Sequence, residues 1–115
     1  MTTSTSLPGT RKYFFCRLIP PRPTFAADMT AEEARAMHAH VGYWIALAER
    51  GTAIVFGPVA DPAGVWGVGI VAASSEEAMR ELQRDDPAIR AGIGMRYDTL
   101  PMPQIVIGRH SGAPA

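Results

Sequence analysis

One histidine and two aspartates carry the residue types that proton-transfer chemistry needs. His40 lies in the stretch from His38 to Asp61, and Asp86 follows in the second half of the chain. A histidine side chain exchanges a proton near neutral pH, and a neighbouring carboxylate fixes its tautomer and favours its charged form. A pair of His40 and a carboxylate would therefore suit general acid–base catalysis. The alternative is a buried histidine with a structural hydrogen bond to the loop after Pro58.

Each aspartate also has a structural explanation. Asp61 begins Asp-Pro-Ala-Gly, which is common turn chemistry. Asp86 stands directly before Pro87, where an aspartate is typical of a helix N-cap. Asp61 is the favoured partner because it lies at the mouth of a predicted hairpin, beyond the strand that follows the helix of His40. Asp86 is the second candidate.

The chain offers little for other kinds of site. His38 and His40 are two residues apart and point to different sides of a helix, whereas zinc-binding histidines on a helix are spaced by three or four. Cys16 stands alone and is typical of a small buried apolar residue. The glycine-rich run 64–69 does not lead from a strand into a helix, so it is not a dinucleotide fingerprint. We expect no metal and no cofactor.

Helix and strand signals alternate along the chain. Thr30 and Glu33 form a capping-box pattern, and Gly51 is typical of a helix C-terminus. Ser74 and Glu77 suggest a second capping box. The predicted elements are a strand at 12–19, a loop at 25–29, a helix from Thr30 to about Arg50, strands at 52–59 and 65–73, a helix from Ser74 to about Arg84, a short turn opened by Asp86, a strand at 95–100, and an edge or exchanged strand at 104–108.

The order β-α-β-β-α-β predicts an α+β, ferredoxin-like fold with an antiparallel sheet and both helices on one face. Helical periodicity places Ala34, Met37, Val41, Trp44, Ile45 and Ala48 on one side of the first helix, with His40 inside that half-turn. We expect one domain at 12–108, between a flexible segment at 1–11 and a disordered tail at 109–115. The opposite sheet face would be apolar, so two sheets are expected to meet in a homodimer with a barrel interior. Phe14, Phe15, Val55 and Phe56 are the residues assigned to that uncovered surface.

Composition excludes several partners. The 115 residues include eleven basic and eleven acidic side chains, and the formal net charge is zero. Without a basic stripe, nucleic acid is not an expected partner. No apolar run approaches the roughly 20 residues of a membrane span, and residues 1–11 lack the apolar core of a secretory signal. The single cysteine fits a reduced, cytoplasmic location.

Several motifs together resemble the YCII-related (YciI-like) family of small dimeric α+β barrel proteins. The resemblance covers about Tyr13 to Ile107. The motifs are the helix carrying His40, Gly51 eleven positions later, Gly57-Pro58, Asp61, the glycine-rich strand, Ser75-Glu76-Glu77-Ala78 and Asp86-Pro87. The chain departs from the family pattern in its proline-rich loop after the first strand and in its additional N-terminal residues.

The resemblance implies a dimer with a site built on a His–Asp pair, and by position it matches His40 with Asp61 ahead of Asp86. Assigned members of the family act on small ring-derived catabolites, including halogenated ones. We therefore expect a cofactor-independent lyase, isomerase or dehalogenase acting on a small cyclic or aromatic organic acid. A ligand-binding or oligomer-assembly module without catalysis is the alternative. The predicted ligand contacts are Arg17, Trp44, Gly57, Pro58 and Asp86.

Overall fold

Four strands and four helices form along residues 11–108, the part of the chain that the computed structural model describes. In chain order they are β1 (Lys12–Ile19), α1 (Phe25–Asp28), α2 (Ala31–Glu49), β2 (Ala53–Val59), β3 (Trp66–Ala73), α3 (Glu76–Arg84), α4 (Pro87–Arg90) and β4 (Arg96–Met102). Without the four-residue helices α1 and α4, the order is the predicted β-α-β-β-α-β. The predicted flexible segment, apart from Arg11, and the predicted tail lie outside the described residues.

The strands form one antiparallel sheet in the order β2-β3-β1-β4. This arrangement confirms the predicted ferredoxin-like fold class. The central strand β1 turns Phe14, Cys16 and Leu18 toward the helices, where all three are buried. Helix α2 supplies Trp44 and Leu47 to the same core. The core therefore lies between the sheet and a single layer of helices.

Helix α2 begins and ends as the sequence predicts. The Thr30 side chain accepts a hydrogen bond from the Glu33 N–H, and the Glu33 carboxylate accepts one from the Thr30 N–H. Gly51 has φ +78°, a left-handed conformation that glycine adopts without steric cost. The capping box and the glycine together fix both ends of the helix that carries His40.

The buried side of α2 is rotated from the predicted one. Its buried residues are Glu33, Ala36, His40, Trp44 and Leu47. By contrast, Val41 is 42% exposed and Ile45 is 50% exposed. The prediction centred the buried face of α2 on its apolar residues. The observed buried face includes the polar side chains of Glu33 and His40, whose hydrogen-bond partners offset the cost of burying them.

Four other local predictions are wrong. Residues Phe25–Asp28 form α1 instead of a loop. The N-cap of α3 is Ser75, whose side chain accepts from the Ala78 N–H, and not Ser74. Strand β4 continues through Pro101, which an edge strand tolerates because one side of its backbone needs no partner. Residues 104–108 form no edge strand within the described chain, whereas their exchange with a second chain stays a prediction.

The sheet face away from the helices is partly uncovered. Phe15 lies there opposite Ile70 and Leu100 on the neighbouring strands. Leu100 is 64% exposed and Val55 is 47% exposed. An apolar open face is therefore present, as predicted.

Two of the aromatic residues assigned to that open face lie on the other side of the sheet. Phe14 is buried under the helices. The Phe56 ring stacks on Trp44, with the ring centroids 5.2 Å apart. The alternation of side chains along a strand explains both cases, because neighbours in sequence point to opposite faces.

Candidate functional site

The described structure pairs His40 with Asp86. The Nδ1 atom of His40 lies 2.9 Å from Oδ1 and 3.0 Å from Oδ2 of the Asp86 carboxylate. His40 is 4% exposed and Asp86 is fully buried. Because an ionised carboxylate only accepts hydrogen bonds, Nδ1 must carry the proton of this contact. The second ring nitrogen, Nε2, makes no hydrogen bond to a described residue.

Three further donors surround Asp86. Its Oδ2 atom accepts from Trp44 Nε1 at 3.0 Å and from the Tyr97 hydroxyl at 2.5 Å. Its Oδ1 atom accepts from the Ala88 backbone N–H at 2.9 Å. Hydrogen bonds to an ionised acceptor are the strong ones, so this buried carboxylate is well compensated. Its position fixes the orientation of the His40 ring.

The local sequence explains this arrangement. Asp86 is the N-cap of α4, and Pro87 occupies the first turn of that helix. Trp44 lies one helical turn after His40, so both side chains reach the same carboxylate from α2. Gly69 makes room for the indole, because a Cβ atom there would lie 2.5 Å from Cη2 of Trp44. Gly69 therefore allows the close approach of Trp44 to the glycine-rich strand.

Electrostatics keep Asp86 ionised. Burial by itself raises the pKa of Asp86, but the hydrogen bond and charge of His40, followed by the hydrogen bonds from Tyr97 and Trp44, hold that pKa below its ordinary value. Burial and the Asp86 charge raise the pKa of Tyr97 far above its usual range. The Tyr97 hydroxyl therefore stays protonated and remains a donor.

A cavity of about 470 Å³ opens beside His40. This volume is within the range of roughly 300–1,000 Å³ that is usual for small-molecule sites. The lining is otherwise apolar, and its larger members include Leu18, Phe25, Met29, Met37, Phe56 and Met95. His40 is the one titratable side chain among the described residues that line it. Since Asp86 occupies Nδ1, Nε2 is the nitrogen that a ligand in the cavity could use.

The prediction that Asp61 pairs with His40 is wrong. The two carboxylate oxygens of Asp61 accept from the Ala63 N–H and from Trp66 Nε1, each at 2.9 Å. These hydrogen bonds lower the pKa of Asp61, the Ala63 contact most. Asp61 therefore closes its own turn and binds Trp66. Asp86, the second candidate, occupies the position beside His40 that was predicted for Asp61.

The other predicted contact residues are divided between the two faces of the sheet. Gly57 and Pro58 line the cavity. Trp44 holds Asp86 and packs on Phe56. The described structure does not bring Arg17 to the cavity, because its neighbours Cys16 and Leu18 occupy the helix-facing side of β1. The Arg17 guanidinium instead lies over the Trp66 ring, 4.5 Å from the ring centroid.

The comparison with known families agrees with this geometry. A model of the YCII-related domain matches residues 13–103, which is most of the chain. This chain belongs to the YCII-related domain family. The search of curated proteins finds no match to it. Membership in the family confirms the resemblance seen in the sequence.

Sequence reasoning missed Tyr97 and Phe25 in this YCII-related domain. A signal for Tyr97 was present: alternation along β4 places it on the same face as Thr99, opposite the buried Leu18 of β1. Phe25 has no such signal, because the prolines that precede it predict a loop and not a helix. Both residues complete the site from outside the stretch His38–Asp61.

Two general findings complete the description of the YCII-related domain. Within residues 11–108, no three His, Cys, Asp or Glu side chains are grouped so that they could hold a metal ion. None of the helices in this part of the chain combines the length and apolar character needed to cross a membrane. The cytoplasmic location inferred from Cys16 stays a prediction.

Proposed function

We propose that this YCII-related domain binds a small cyclic or aromatic organic acid in the cavity and that His40 exchanges a proton with it. The proposal rests on the two contacts of the His40 ring. Its Nδ1 is held by a buried carboxylate, while its side chain lines an apolar cavity of about 470 Å³. Apolar walls suit the ring of such a ligand, and one polar group would set its orientation.

The proposed chemistry follows from the tautomer. With the proton on Nδ1, the Nε2 lone pair takes a proton from the ligand, and the charged imidazolium that forms is stabilised by Asp86. The same Nε2–H then returns the proton to another ligand atom, which completes an isomerisation. Where the electron pair of the broken C–H bond instead expels a leaving group such as halide, the proton on Nε2 passes to water and the halide leaves as an anion, which is a lyase or dehalogenase reaction. Proton transfer of this kind needs no cofactor.

The lining limits which acid would fit. No Lys or Arg side chain is present among the described residues that line the cavity. A fully charged carboxylate would therefore have to pair with a protonated His40 or point out of the cavity. A weakly acidic ring hydroxyl or an enolisable ring would enter uncharged, which favours these groups as the acidic part of the ligand.

A binding module without catalysis is the second candidate. The observation in its favour is that His40 is the single titratable side chain of the lining among the described residues. Any second proton-transfer group would have to come from the ligand, from another chain or from residues outside 11–108. A site with one polar group can orient a ring without transforming it.

One experiment distinguishes the two candidates. The ring nitrogens of His40 would be followed by NMR during addition of phenols, ring acids and chlorinated hydroquinones, and solvent deuterium uptake and product formation would be measured in parallel. Catalysis predicts deuterium uptake or turnover in the wild type and in His38→Gln, and its loss in His40→Gln. Binding that shifts the His40 resonances without deuterium uptake or turnover would support the module instead. Absence of any shift at His40 would contradict both.

We also propose that the open sheet face forms a homodimer. Val55 and Leu100 place exposed apolar surface beside Phe15 on that face, and burial against a second copy would remove it from water. Light scattering should give twice the chain mass for the wild type and a lower mass for Leu100→Lys. A monomeric wild type at high protein concentration would refute the dimer.

A further inference from the structure

The proline-rich stretch Pro20–Met29, called here the roof segment, has no part in the His40–Asp86 pair, yet it borders the same cavity. It contributes Pro20, Phe25, Ala26 and Met29 to the lining. Phe25 is only 3% exposed, although α1 has just four residues. A short helix that buries an aromatic ring against a cavity is positioned by its tertiary contacts and not by its own stability.

The prolines at the start of the roof segment are packed against two loops. A Cβ atom added at Gly64 would lie 3.0 Å from the Cα atom and the carbonyl oxygen of Pro23. One added at Gly94 would lie 2.9 Å from Cβ of Pro21. Both glycines have positive φ, +140° and +92°, so any larger residue would meet both strain and contact. The beginning of the roof segment is therefore held in place.

The end of the roof segment is held through Arg22. Its guanidinium donates to both oxygens of the Glu33 carboxylate, at 2.9 and 2.8 Å, in a bidentate pair. It also donates to Oδ1 of Asp28 at 2.9 Å and to the Asp28 carbonyl oxygen at 3.0 Å. The same guanidinium lies over the Phe25 ring, 5.3 Å from its centroid. Arg22 thus connects α1 to the first turn of α2, the helix that carries His40.

We propose that the roof segment controls access to His40, with the Arg22–Glu33 pair holding it closed and Phe25 limiting the size of the ring that the cavity accepts. Opening this side of the cavity without moving the packed prolines requires α1 to separate from α2. Arg22 lies between the packed prolines, so that movement breaks the contacts that its guanidinium makes with Asp28 of α1. The bidentate pair with Glu33 orients the guanidinium for these contacts. The size limit rests on the proposed function, whereas the control of access does not.

Access can be measured without any ligand. Diethyl pyrocarbonate acylates an unprotonated imidazole nitrogen, and fragment mass spectrometry resolves its reaction at His40 from that at His38. His38 is exposed and serves as an internal reference. In Arg22→Ala, the rate at His40 relative to His38 should rise about threefold or more, because the bidentate pair is lost.

Matched variants separate this effect from general loosening. Arg80→Ala removes an exposed ion pair with Glu76 on α3, away from the roof segment, and should leave the ratio of the two rates unchanged. If Arg22→Ala does not fold, Glu33→Gln and Arg22→Lys break the bidentate pair while keeping the shape or the charge. A ratio that stays at the wild-type value in folded variants of Arg22 and Glu33 would overturn the control of access.

The size limit is tested by protection of His40 from the same reagent. Phenol should protect the wild type and Phe25→Ala at similar concentrations, whereas 2-naphthol should protect Phe25→Ala at a lower concentration than the wild type. Equal protection by 2-naphthol in the two proteins would overturn the size limit. If phenol protects neither, the ring ligand of the proposed function and the size limit that depends on it both fail. Control of access would still be decided by the Arg22 and Glu33 variants.

Discussion

Replacing Asp86 with asparagine removes the charge at the centre of the site while keeping the shape of the side chain. If the amide oxygen takes the place of Oδ1, the amide N–H₂ faces the Trp44 indole N–H. If the oxygen takes the place of Oδ2, the N–H₂ faces the backbone N–H of Ala88. Neither of these donors can accept a hydrogen bond. In the first orientation the indole N–H keeps only its longer contact with the Tyr97 hydroxyl at 3.2 Å, and in the second orientation the buried Ala88 N–H is orphaned.

The free energy of unfolding should therefore fall in Asp86→Asn by about 2–4 kcal/mol. A buried donor that is orphaned, or that keeps only one longer hydrogen bond, costs about 1–3 kcal/mol, and the remaining donors lose a charged acceptor, which adds about 1 kcal/mol. A small domain has about 5–15 kcal/mol of stability, so the variant should remain folded. Equilibrium urea unfolding should show the midpoint lowered by about 1–2 M.

The loss of stability in Asp86→Asn should depend on pH, and its direction follows from the pKa of Asp86. The pKa of Asp86 is lowered in the folded state, below the ordinary value of 3.8. Its charged form therefore contributes stability that is complete above about pH 4 and disappears as the pH falls through the lower, folded-state pKa. The difference in free energy of unfolding between the wild type and Asp86→Asn should shrink as the solution becomes acidic.

Asp61→Asn is the matched control. Asp61 is half-buried in a turn, where water can replace a lost partner, so its loss of stability should be smaller. Nitrogen-15 NMR should show His40 as the Nδ1–H tautomer in the wild type and in Asp61→Asn, and a mixture of tautomers in Asp86→Asn. Equal losses of stability in the two variants, or a change of tautomer in Asp61→Asn alone, would refute the pairing of His40 with Asp86.

Two further substitutions test the surroundings of the carboxylate. Gly69→Ala should lower the free energy of unfolding by about 1–3 kcal/mol, because its Cβ atom would meet the Trp44 ring. Gly42→Ala on α2 is the control, because nothing lies within 4 Å of an added Cβ atom there, and it should raise the free energy of unfolding by up to about 1 kcal/mol in the same urea experiment. A loss of stability in both variants would contradict a specific contact between Gly69 and Trp44. Tyr97→Phe removes a donor to Asp86 and should lower the free energy of unfolding by about 1.5–3 kcal/mol. It should also move the midpoint of acid unfolding to higher pH. An unchanged midpoint would show that Tyr97 does not stabilise the charge of Asp86.

The fold was predictable where a local signal matches a local cause. Lys12–Ile19 is a strand over the predicted residues, and the capping box at Thr30 starts α2. α1 lacks such a signal, since its N-cap Thr24 makes no side-chain capping bond. Its helical turn depends on the burial of Phe25 and on the contacts of Arg22, which are tertiary. A sequence pattern read over a short window does not contain that information.

The candidate site was predictable only in part. Helical periodicity correctly directed His40 toward the sheet. The identity of its carboxylate partner was not predictable in this way, because Asp86 lies 46 positions away and reaches His40 only when α4 packs beside α2. Asp61 and Asp86 both precede proline, so local turn chemistry favoured neither. The hairpin argument chose the aspartate that is nearer in sequence, whereas packing selects the one that is nearer in space.

The structural and functional explanations of Asp86 are compatible. Oδ1 caps the first turn of α4 through the Ala88 N–H and also contacts His40, while Trp44 and Tyr97 hold Oδ2. The start of a four-residue helix thus fixes one carboxylate oxygen, and two aromatic donors fix the other. The orientation of the His40 ring is therefore determined by the backbone of α4 as much as by any side chain. An aspartate at an N-cap can for this reason also be the residue that positions a histidine.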